Sequence, residues 1–256
     1  MRRYRDYDPF AWLYTHYWGD EFHRQIMPVL DRLLLSGLPR RARILDLCCG
    51  DGRVSYQLAK RGFIVTGVDG SEQMLTFAKQ RAPKIEFLLK DARSFQLPLQ
   101  YQGAVSTFDS LNHVMEADGL EQVFRNVNAS LQEGAVFVFD LNREEAYIDF
   151  WARTSTSVDP KAVSIARGSY DGHEKIAHCD VTLFRLERGD WQRSDFRLSQ
   201  RYYPMEIVLE MLRRTGFQAE IFDGADDLKM RGDVGAGRSF FAARKISCAG
   251  RSNALS

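Results

Sequence analysis

The chain has 256 residues, 45% of them hydrophobic and 27% charged, with 35 basic and 34 acidic side chains and a formal charge of +1. This length can bury one substantial core with a small accessory layer, and two independent domains would be cramped. A net charge so close to zero gives no overall field to gather nucleic acid or an anionic membrane. No apolar run approaches the ~20 residues of a membrane-spanning helix. We therefore expect a small-molecule substrate, with neither nucleic acid nor membrane as a partner.

The cysteines indicate a reducing environment. Cys48, Cys49, Cys179 and Cys248 form no C-x-x-C pair and no disulfide framework of the kind found in small secreted domains. The basic first residues are not followed by an apolar segment, so no signal peptide is expected. Reduced thiols in a cytoplasmic protein, with no bound metal, are the simplest interpretation.

The N-terminal region is dense in aromatic side chains that must be buried against something. Either a helix packs these rings on the edge of a sheet, or an aromatic lid closes over a binding site, and two faces of one helix allow both. A second helical period follows over residues 21–35 despite Pro28, so residues 1–40 are expected to form a helical lid. The aromatic residues are Tyr4, Tyr7, Phe10, Trp12, Tyr14, Tyr17 and Trp18.

A short apolar strand over residues 44–47 leads through Gly50 and Gly52 into a helical pattern over residues 53–61. The glycines allow a ligand to approach the backbone, and the start of the helix offers unpaired N–H groups. Asp46, at the carboxyl end of the strand, would repel a pyrophosphate. The turn also lacks the third glycine of the G-x-G-x-x-G motif. A cationic ligand therefore fits this turn better than NAD.

A second buried strand, residues 63–69, ends in Asp69, 17 residues beyond Gly52. The Asp69 carboxylate can accept hydrogen bonds from both hydroxyls of a ribose, as the acidic residue of a dinucleotide fold does. Alternatively it caps the helix predicted over residues 71–81. The spacing between Asp46 and Asp69 favours the ribose-binding role over the helix cap. Met74, in the first turn of that helix, either covers an adenine face or belongs to the core.

A third strand over residues 85–89 places Asp91 and Ala92 at another carboxyl end. Asp91 could accept from an adenine amino group while the Ala92 N–H serves a ring nitrogen. It could equally be an ordinary turn residue on the surface.

A fourth strand, residues 103–108, ends in a polar cluster that includes Asp109 and His113. Ligands of an open α/β sheet bind outside the carboxyl ends of its strands, so this cluster is the predicted reaction centre. His113 is the candidate base because its ordinary pKa lies near working pH, although histidines at such junctions often cap a helix or simply pack. Asp109 or Tyr14 would assist it.

Strand and helix alternate strictly through a fifth strand over residues 134–141, which predicts a parallel sheet wound on both faces. Turn signals between strand-like runs then predict an antiparallel insert of about three strands within residues 145–203, roofing the substrate pocket. A helix over residues 205–215 and two strands close the sheet. The expected domains are therefore residues 41–144 with 204–246, the insert, and a disordered tail over residues 247–256.

With these motifs identified, the chain resembles the class I S-adenosylmethionine-dependent methyltransferases over nearly its whole length. Residues 45–52 resemble the first motif of this family, and residues 68–69 resemble its second acidic position. Residues 90–92 resemble the segment that contacts the adenine, and residues 108–113 resemble the fourth motif. One departure is Cys48, where the family usually has glycine. The resemblance implies a mostly parallel seven-stranded Rossmann-like sheet and S-adenosylmethionine as cofactor. Cofactor-binding positions would be Asp46, Cys49, Gly50, Gly52, Asp69, Gly70, Met74, Asp91, Ala92 and Phe108.

Within that family, the insert and the histidine of the fourth motif are similar to small-molecule N-methyltransferases, including those that act on amino sugars. The resemblance implies methyl transfer to a nitrogen or oxygen of a small molecule by a monomer or homodimer. Two alternatives are a non-catalytic domain that binds S-adenosylmethionine as a sensor or scaffold, and a nicotinamide-dependent oxidoreductase.

Overall fold

The structure, a computed structural model, describes residues 7–246. Tyr4, the start of the expected lid and the expected disordered tail lie outside these residues. The helices are α1 (Asp8–Tyr17), α2 (Asp20–Leu33), α3 (Arg53–Lys60), α4 (Glu72–Arg81), α5 (Ala117–Ser130), α6 (Glu144–Ala146) and α7 (Met205–Arg214). The strands are β1 (Arg43–Leu47), β2 (Ile64–Asp69), β3 (Glu86–Leu89), β4 (Tyr101–Ser106), β5 (Leu131–Asn142), β6 (Thr154–Asp159), β7 (Ala162–Asp171), β8 (Ile176–Glu187), β9 (Asp190–Arg201), β10 (Phe217–Asp223) and β11 (Arg238–Lys245).

Seven strands form the central sheet in the order β10-β11-β5-β4-β1-β2-β3. Strands β1 to β5 are parallel, whereas β11 is antiparallel to both of its neighbours. The apolar faces of α5 and α7 pack on one side of the sheet, and those of α2 and α3 pack on the other. The predicted doubly wound, mostly parallel seven-stranded sheet is confirmed.

The expectation of strict strand and helix alternation is wrong between β3 and β4. Residues 90–100 contain turns and extended chain but no helix, although Phe95 within them is buried in the core. The segment is short and contains Pro98, which favours extended chain. It therefore crosses over the sheet without forming a helix.

The insert after β5 is a separate antiparallel sheet of four strands in the order β6-β7-β8-β9, one more than expected. The turn signals at residues 159–160, 171–172 and 188–190 were correct, because each joins two of these strands. Strand β6 is largely exposed and carries a single large apolar side chain, Val158, so its pattern gives little strand signal.

Helix α1 lies between this insert and the central sheet. Phe10 and Leu13 of α1 are buried with Val181 and Leu198 of the insert and with Met74 of α4. The aromatic N-terminal segment therefore packs over the carboxyl edge of the sheet, in the position expected of a lid.

Candidate functional site

Five strands bring polar residues to one edge of the central sheet. The carboxyl ends of β1, β2, β4 and β5 meet there because these strands are parallel, and the antiparallel β11 begins there. A cavity of about 350 Å³ opens at this edge, between the sheet, α1 and the insert. Most of the site residues predicted from the sequence line it, namely Tyr14, Gly50, Asp69, Gly70, Met74, Asp91, Ala92, Phe108, Asp109 and His113.

Asp69 joins the turn after β1 to the end of β2. Its carboxylate accepts from the backbone N–H of Gly50 and from that of Ser71, both over 2.8 Å. The helix cap of α4 is Ser71, whose Oγ accepts from the Met74 N–H over 3.1 Å, so Asp69 is not the cap. Burial raises the pKa of Asp69 to about 6. The carboxylate also lines the cavity, where it can accept from hydroxyl donors.

The two glycines of the turn serve different purposes. A Cβ on Gly50, at φ +53°, would lie 3.7 Å from Tyr14 Cε1, an ordinary van der Waals contact on the cavity side. A Cβ on Gly52, at φ +75°, would lie 3.0 Å from both Ala78 and Phe87. Gly52 therefore permits the close approach of α4 and β3, and it does not line the cavity.

Asp46 and Cys49 also lie behind the cavity wall. Asp46 is buried and accepts from Ser55 Oγ over 2.5 Å, and burial raises its pKa to about 7. Cys48, in contrast, lines the cavity with φ +56°, the left-handed region that favours glycine. This backbone explains why a glycine is usual at that position in the family that the sequence resembles. Cys48, Cys49 and Cys179 are free thiols.

Asp91 is held by its neighbour Arg93. The guanidinium contacts both carboxylate oxygens, with the Arg93 Nη2 to Asp91 Oδ2 distance at 2.6 Å. Burial raises the pKa of Asp91, but the hydrogen bonds from Arg93 outweigh it and the net pKa is lowered. Asp91 is therefore a carboxylate in the cavity wall whose charge is largely balanced.

A buried ion network shapes the turn after β4. Phe108 and Asp109 both have positive φ, +64° and +48°, a strained conformation for residues other than glycine. The Asp140 carboxylate accepts from their backbone N–H groups over 2.7 and 2.8 Å. Arg238 bridges Asp140 and Asp109, contacting Asp109 Oδ1 over 2.8 Å, and stacks on Phe22 and Phe108. The network fixes a backbone turn that would otherwise relax.

His113 is buried at the cavity wall, and both of its ring nitrogens have partners. Nδ1 lies 2.8 Å from the Ser199 carbonyl oxygen, and Nε2 lies 2.5 Å from the Tyr7 hydroxyl and 2.9 Å from the Gln200 amide nitrogen. Burial lowers the pKa of His113 to about 4, although Asp109 opposes this. The imidazole is therefore neutral near pH 7.

Tyr14 lines the cavity, but its hydroxyl faces away from the reaction centre. It lies 3.0 Å from His23 Nε2, and burial raises the Tyr14 pKa well above its ordinary value. The tyrosine at His113 is Tyr7, which immediately precedes α1, about two helical turns before Tyr14 and on the same face.

Four residues of this network were not selected from the sequence. Asp140 lies within the predicted fifth strand without a role assigned to it, and Tyr7 was counted only among the aromatic residues. Gln200 and Arg238 lie in the insert and in the last strand, far from any motif, and no local pattern marks them. Only the topology of the sheet brings them to the reaction centre.

Comparison with known proteins connects this site to methyl transfer. A family model described as "Methyltransferase domain" matches residues 44–134. The YqeM protein of Bacillus subtilis (strain 168), whose name describes it as a methyltransferase, is 31% identical over 215 residues, 82% of this chain and 87% of that protein. The ubiquinone biosynthesis O-methyltransferase of Coxiella burnetii (strain RSA 331 / Henzerling II) is 33% identical over 184 residues, 66% of this chain and 71% of that protein.

Solved structures share the fold. An S-adenosylmethionine-dependent methyltransferase from Clostridium acetobutylicum ATCC 824 superimposes with a TM-score of 0.76 at 19% identity, covering 94% of this chain and 99% of that one. CalS10, an amino pentose methyltransferase from Micromonospora echinaspora solved with S-adenosylmethionine bound, gives 0.73 at 19% identity, covering 96% and 99%. Between Tyr7 and Ile246, no helix is long and apolar enough to cross a membrane.

Proposed function

The chain belongs to the class I S-adenosylmethionine-dependent methyltransferases, and from this membership we propose that it methylates a nitrogen or oxygen of a small molecule held between α1 and the insert. The nicotinamide-dependent alternative does not fit this family. The Gly50 N–H, which a pyrophosphate would need, already donates to Asp69.

The residues at the first two strand ends fit S-adenosylmethionine, which supplies a methyl group on a sulfonium when bound. Asp69, whose carboxylate lines the cavity, would accept from the ribose hydroxyls. Gly50 and Gly70 would leave room beside it. Met74 and Phe108 would contact the adenosine or the methionine part, with Asp91 and Ala92 on the adenine side. Asp46, Cys49 and Gly52 would act from behind the cavity wall by fixing the turn.

His113 is proposed as the group that receives the proton of the acceptor. Its imidazole is neutral, lies at the cavity wall and presents Nε2 next to the Tyr7 hydroxyl. Both oxygens of Asp109 accept from other side chains, Arg238 and Gln200, so Asp109 would orient the site. Tyr14, with its hydroxyl on His23, would form part of the wall.

Most of the chemistry would come from positioning. The cavity would hold donor and acceptor in line and exclude water. Aromatic and aliphatic side chains from α1 and the insert surround the acceptor side, among them Phe10, Trp18, Trp151 and Leu198. The relatives support a small acceptor, since one is named for ubiquinone biosynthesis and a structural neighbour for an amino pentose.

We further propose that residues 1–40 act as the lid and 145–203 as the roof of a cytoplasmic enzyme that works as a monomer or homodimer. The packing of Phe10 against Val181 and Leu198 supports the lid, because α1 and the insert share one apolar cluster. The formal charge of +1 supports a partner other than nucleic acid.

The observation that carries the proposal is that Asp69 and His113 line one cavity. The test incubates the enzyme with S-adenosylmethionine and a panel of small amines and phenols, and measures S-adenosylhomocysteine and methylated product. His113→Ala should lower turnover by 10²-fold or more, the usual range for a general base, while the S-adenosylmethionine Kd stays within about twofold. His173→Ala, at an exposed turn, is the matched control.

Wild-type turnover by the His113 variant would remove this residue from the mechanism. Tight binding without product across the panel would favour the sensor.

A further inference from the structure

Gln200 is a fully buried glutamine on β9 whose amide contacts four polar groups. Its Oε1 lies 2.9 Å from the Tyr147 hydroxyl and 3.2 Å from Asn142 Nδ2. Its Nε2 contacts Asp109 Oδ2 and lies 2.9 Å from His113 Nε2. The insert thus reaches into the reaction centre through this one side chain.

The orientation of the amide is fixed by the nature of its partners. The Asp109 carboxylate, paired with Arg238, can only accept hydrogen bonds, so the Gln200 NH₂ group must face it. The Asn142 NH₂ group can only donate, so Oε1 must face Asn142. Both requirements select the same orientation.

This orientation determines the tautomer of His113. A donor at Gln200 Nε2 requires His113 Nε2 to be the unprotonated, accepting nitrogen. The Ser199 carbonyl, which can only accept, favours the proton on Nδ1, and the Gln200 amide adds to this preference from the other side of the ring. Ser199 and Gln200 are consecutive residues of β9, so one strand of the insert orients both nitrogens of the ring.

We propose that Gln200 is a positioning residue, which holds His113 in the neutral Nδ1–H tautomer with Nε2 as the accepting nitrogen. The Tyr7 hydroxyl, which lines the cavity and lies 2.5 Å from Nε2, would pass its proton to Nε2 as it takes the proton of the acceptor. The proposal rests on the proposed function, in which His113 takes the proton of the acceptor. It gives the insert a role beyond covering the pocket, since the amide from β9 disfavours a proton on Nε2 until the acceptor supplies one.

Within the part of the chain that the structure describes, polar groups from α1, the turn after β4 and β9 face the ring. Tyr7 approaches from the start of α1, Asp109 from the turn after β4 with Arg238 and Asp140 behind it, and β9 supplies Ser199 and Gln200. Gln200→Glu replaces the amide nitrogen next to His113 Nε2 with a carboxylate oxygen, in addition to the carboxylate of Asp109. A negative charge at this distance stabilises the imidazolium and should raise the His113 titration midpoint by about 1–3 pH units.

The experiment records two-bond ¹H–¹⁵N NMR spectra of protein labelled with [¹⁵N]histidine, without cofactor or acceptor. The chain has 5 histidines, and the signals of His113 are assigned by their loss in His113→Gln. Wild type should show Nδ1 protonated and Nε2 unprotonated at pH 7. Gln200→Glu should move the titration upwards, and Gln200→Leu should mix the tautomers. Gln192→Glu places the same charge at an exposed position of β9 and should change nothing.

Two outcomes would overturn the proposal. One is a wild-type His113 with its proton on Nε2, which is measurable even if no Gln200 variant folds. The other is a folded Gln200→Leu protein, checked by circular dichroism, whose His113 keeps its proton entirely on Nδ1. Because neither measurement uses methyl transfer, a failed tautomer assignment is distinguishable from a failed proposed function, which would appear only in the product assay.

Discussion

The backbone N–H of Gly50 donates to the Asp69 carboxylate over 2.8 Å and so joins the turn after β1 to the end of β2. In a dinucleotide fold, N–H groups at such a turn bind phosphate. Here a carboxylate takes that N–H group, so the turn presents negative charge to the cavity. A donor that carries a sulfonium and an ammonium fits this charge.

The affinity for S-adenosylmethionine should rise with pH because of Asp69. Burial raises the pKa of Asp69 to about 6, so at pH 5 the Asp69 carboxyl group is protonated in much of the unliganded protein. A cation and two ribose donors favour the carboxylate, so binding releases a proton. Calorimetry at pH 5.0 and 7.5 should show about tenfold tighter binding at the higher pH, one pKa unit being tenfold.

Asp69→Asn isolates this effect. The variant should bind S-adenosylmethionine at least about tenfold more weakly at pH 7.5, since hydrogen bonds to a charged acceptor contribute ~1.5–3 kcal/mol each, and its affinity should vary little with pH. Asp118→Asn, at an exposed position of α5, should behave like wild type. A wild-type affinity that is constant across this pH range would contradict the assignment of Asp69.

The two glycines of the turn should respond differently to alanine. Gly52→Ala overpacks against Ala78 and Phe87 and should lower the free energy of unfolding by about 1–3 kcal/mol, with strain at φ +75° included. Gly50→Ala meets no such contact, but its methyl group lies on the cavity side. Urea unfolding and calorimetry separate the two effects. Gly52→Ala should lose mainly stability and Gly50→Ala mainly cofactor affinity, and equal effects on both would refute this distinction.

The sequence located the strand ends of the site but not the side chains that connect them. Asp69 and His113 follow buried strands directly, so periodicity and the rule for parallel sheets place them at one edge. Gln200 and Arg238 reach that edge from an antiparallel insert and an antiparallel strand, whose register depends on distant pairings. A local pattern carries no information about such pairings.

The same reason explains why two side chains lie elsewhere than expected. Tyr7 and not Tyr14 contacts His113, because the position of α1 along its axis, and not only the face it presents, is set by packing against the insert. Asp46 was expected beside the ligand, but its side chain points behind the turn to Ser55. A strand pattern gives the end of a strand and not the direction in which its last side chain points.

Arg238 should stabilise the protein more at pH 7 than at pH 5. Arg238→Met leaves Asp109 and Asp140 buried without their shared cation, which typically costs about 3–5 kcal/mol. Burial already raises the pKa of Asp140, and loss of Arg238 raises it further. A raised pKa in the folded state makes the penalty fade as the pH falls and the carboxyl group takes a proton.

Urea unfolding at pH 5 and pH 7 measures this difference. Arg244→Met is the control, because Arg244 lies on the same strand with its side chain exposed. An Arg238→Met protein with the same loss of stability at both pH values would show that the two carboxylates are solvated after the substitution.

Substitution of Asp46 should have the opposite effect on stability from substitution of Arg238, because it should stabilise the protein. Burial raises its pKa to about 7, against about 3.9 in the unfolded chain. Between these values the folded state holds a proton that the unfolded state releases, so stability is lost as the pH rises from about 4 to about 7 and stays constant above that. Asn at this position stays neutral and can still accept from Ser55 Oγ. The free energy of unfolding of Asp46→Asn should therefore match that of wild type near pH 4 and exceed it at pH 8 by up to about 4 kcal/mol, at ~1.4 kcal/mol per pKa unit.

Unfolding curves of both proteins at pH 4.5, 6 and 8 give this difference directly. Curves that stay parallel across the three pH values would mean that Asp46 is already ionised in the folded protein at pH 4.5.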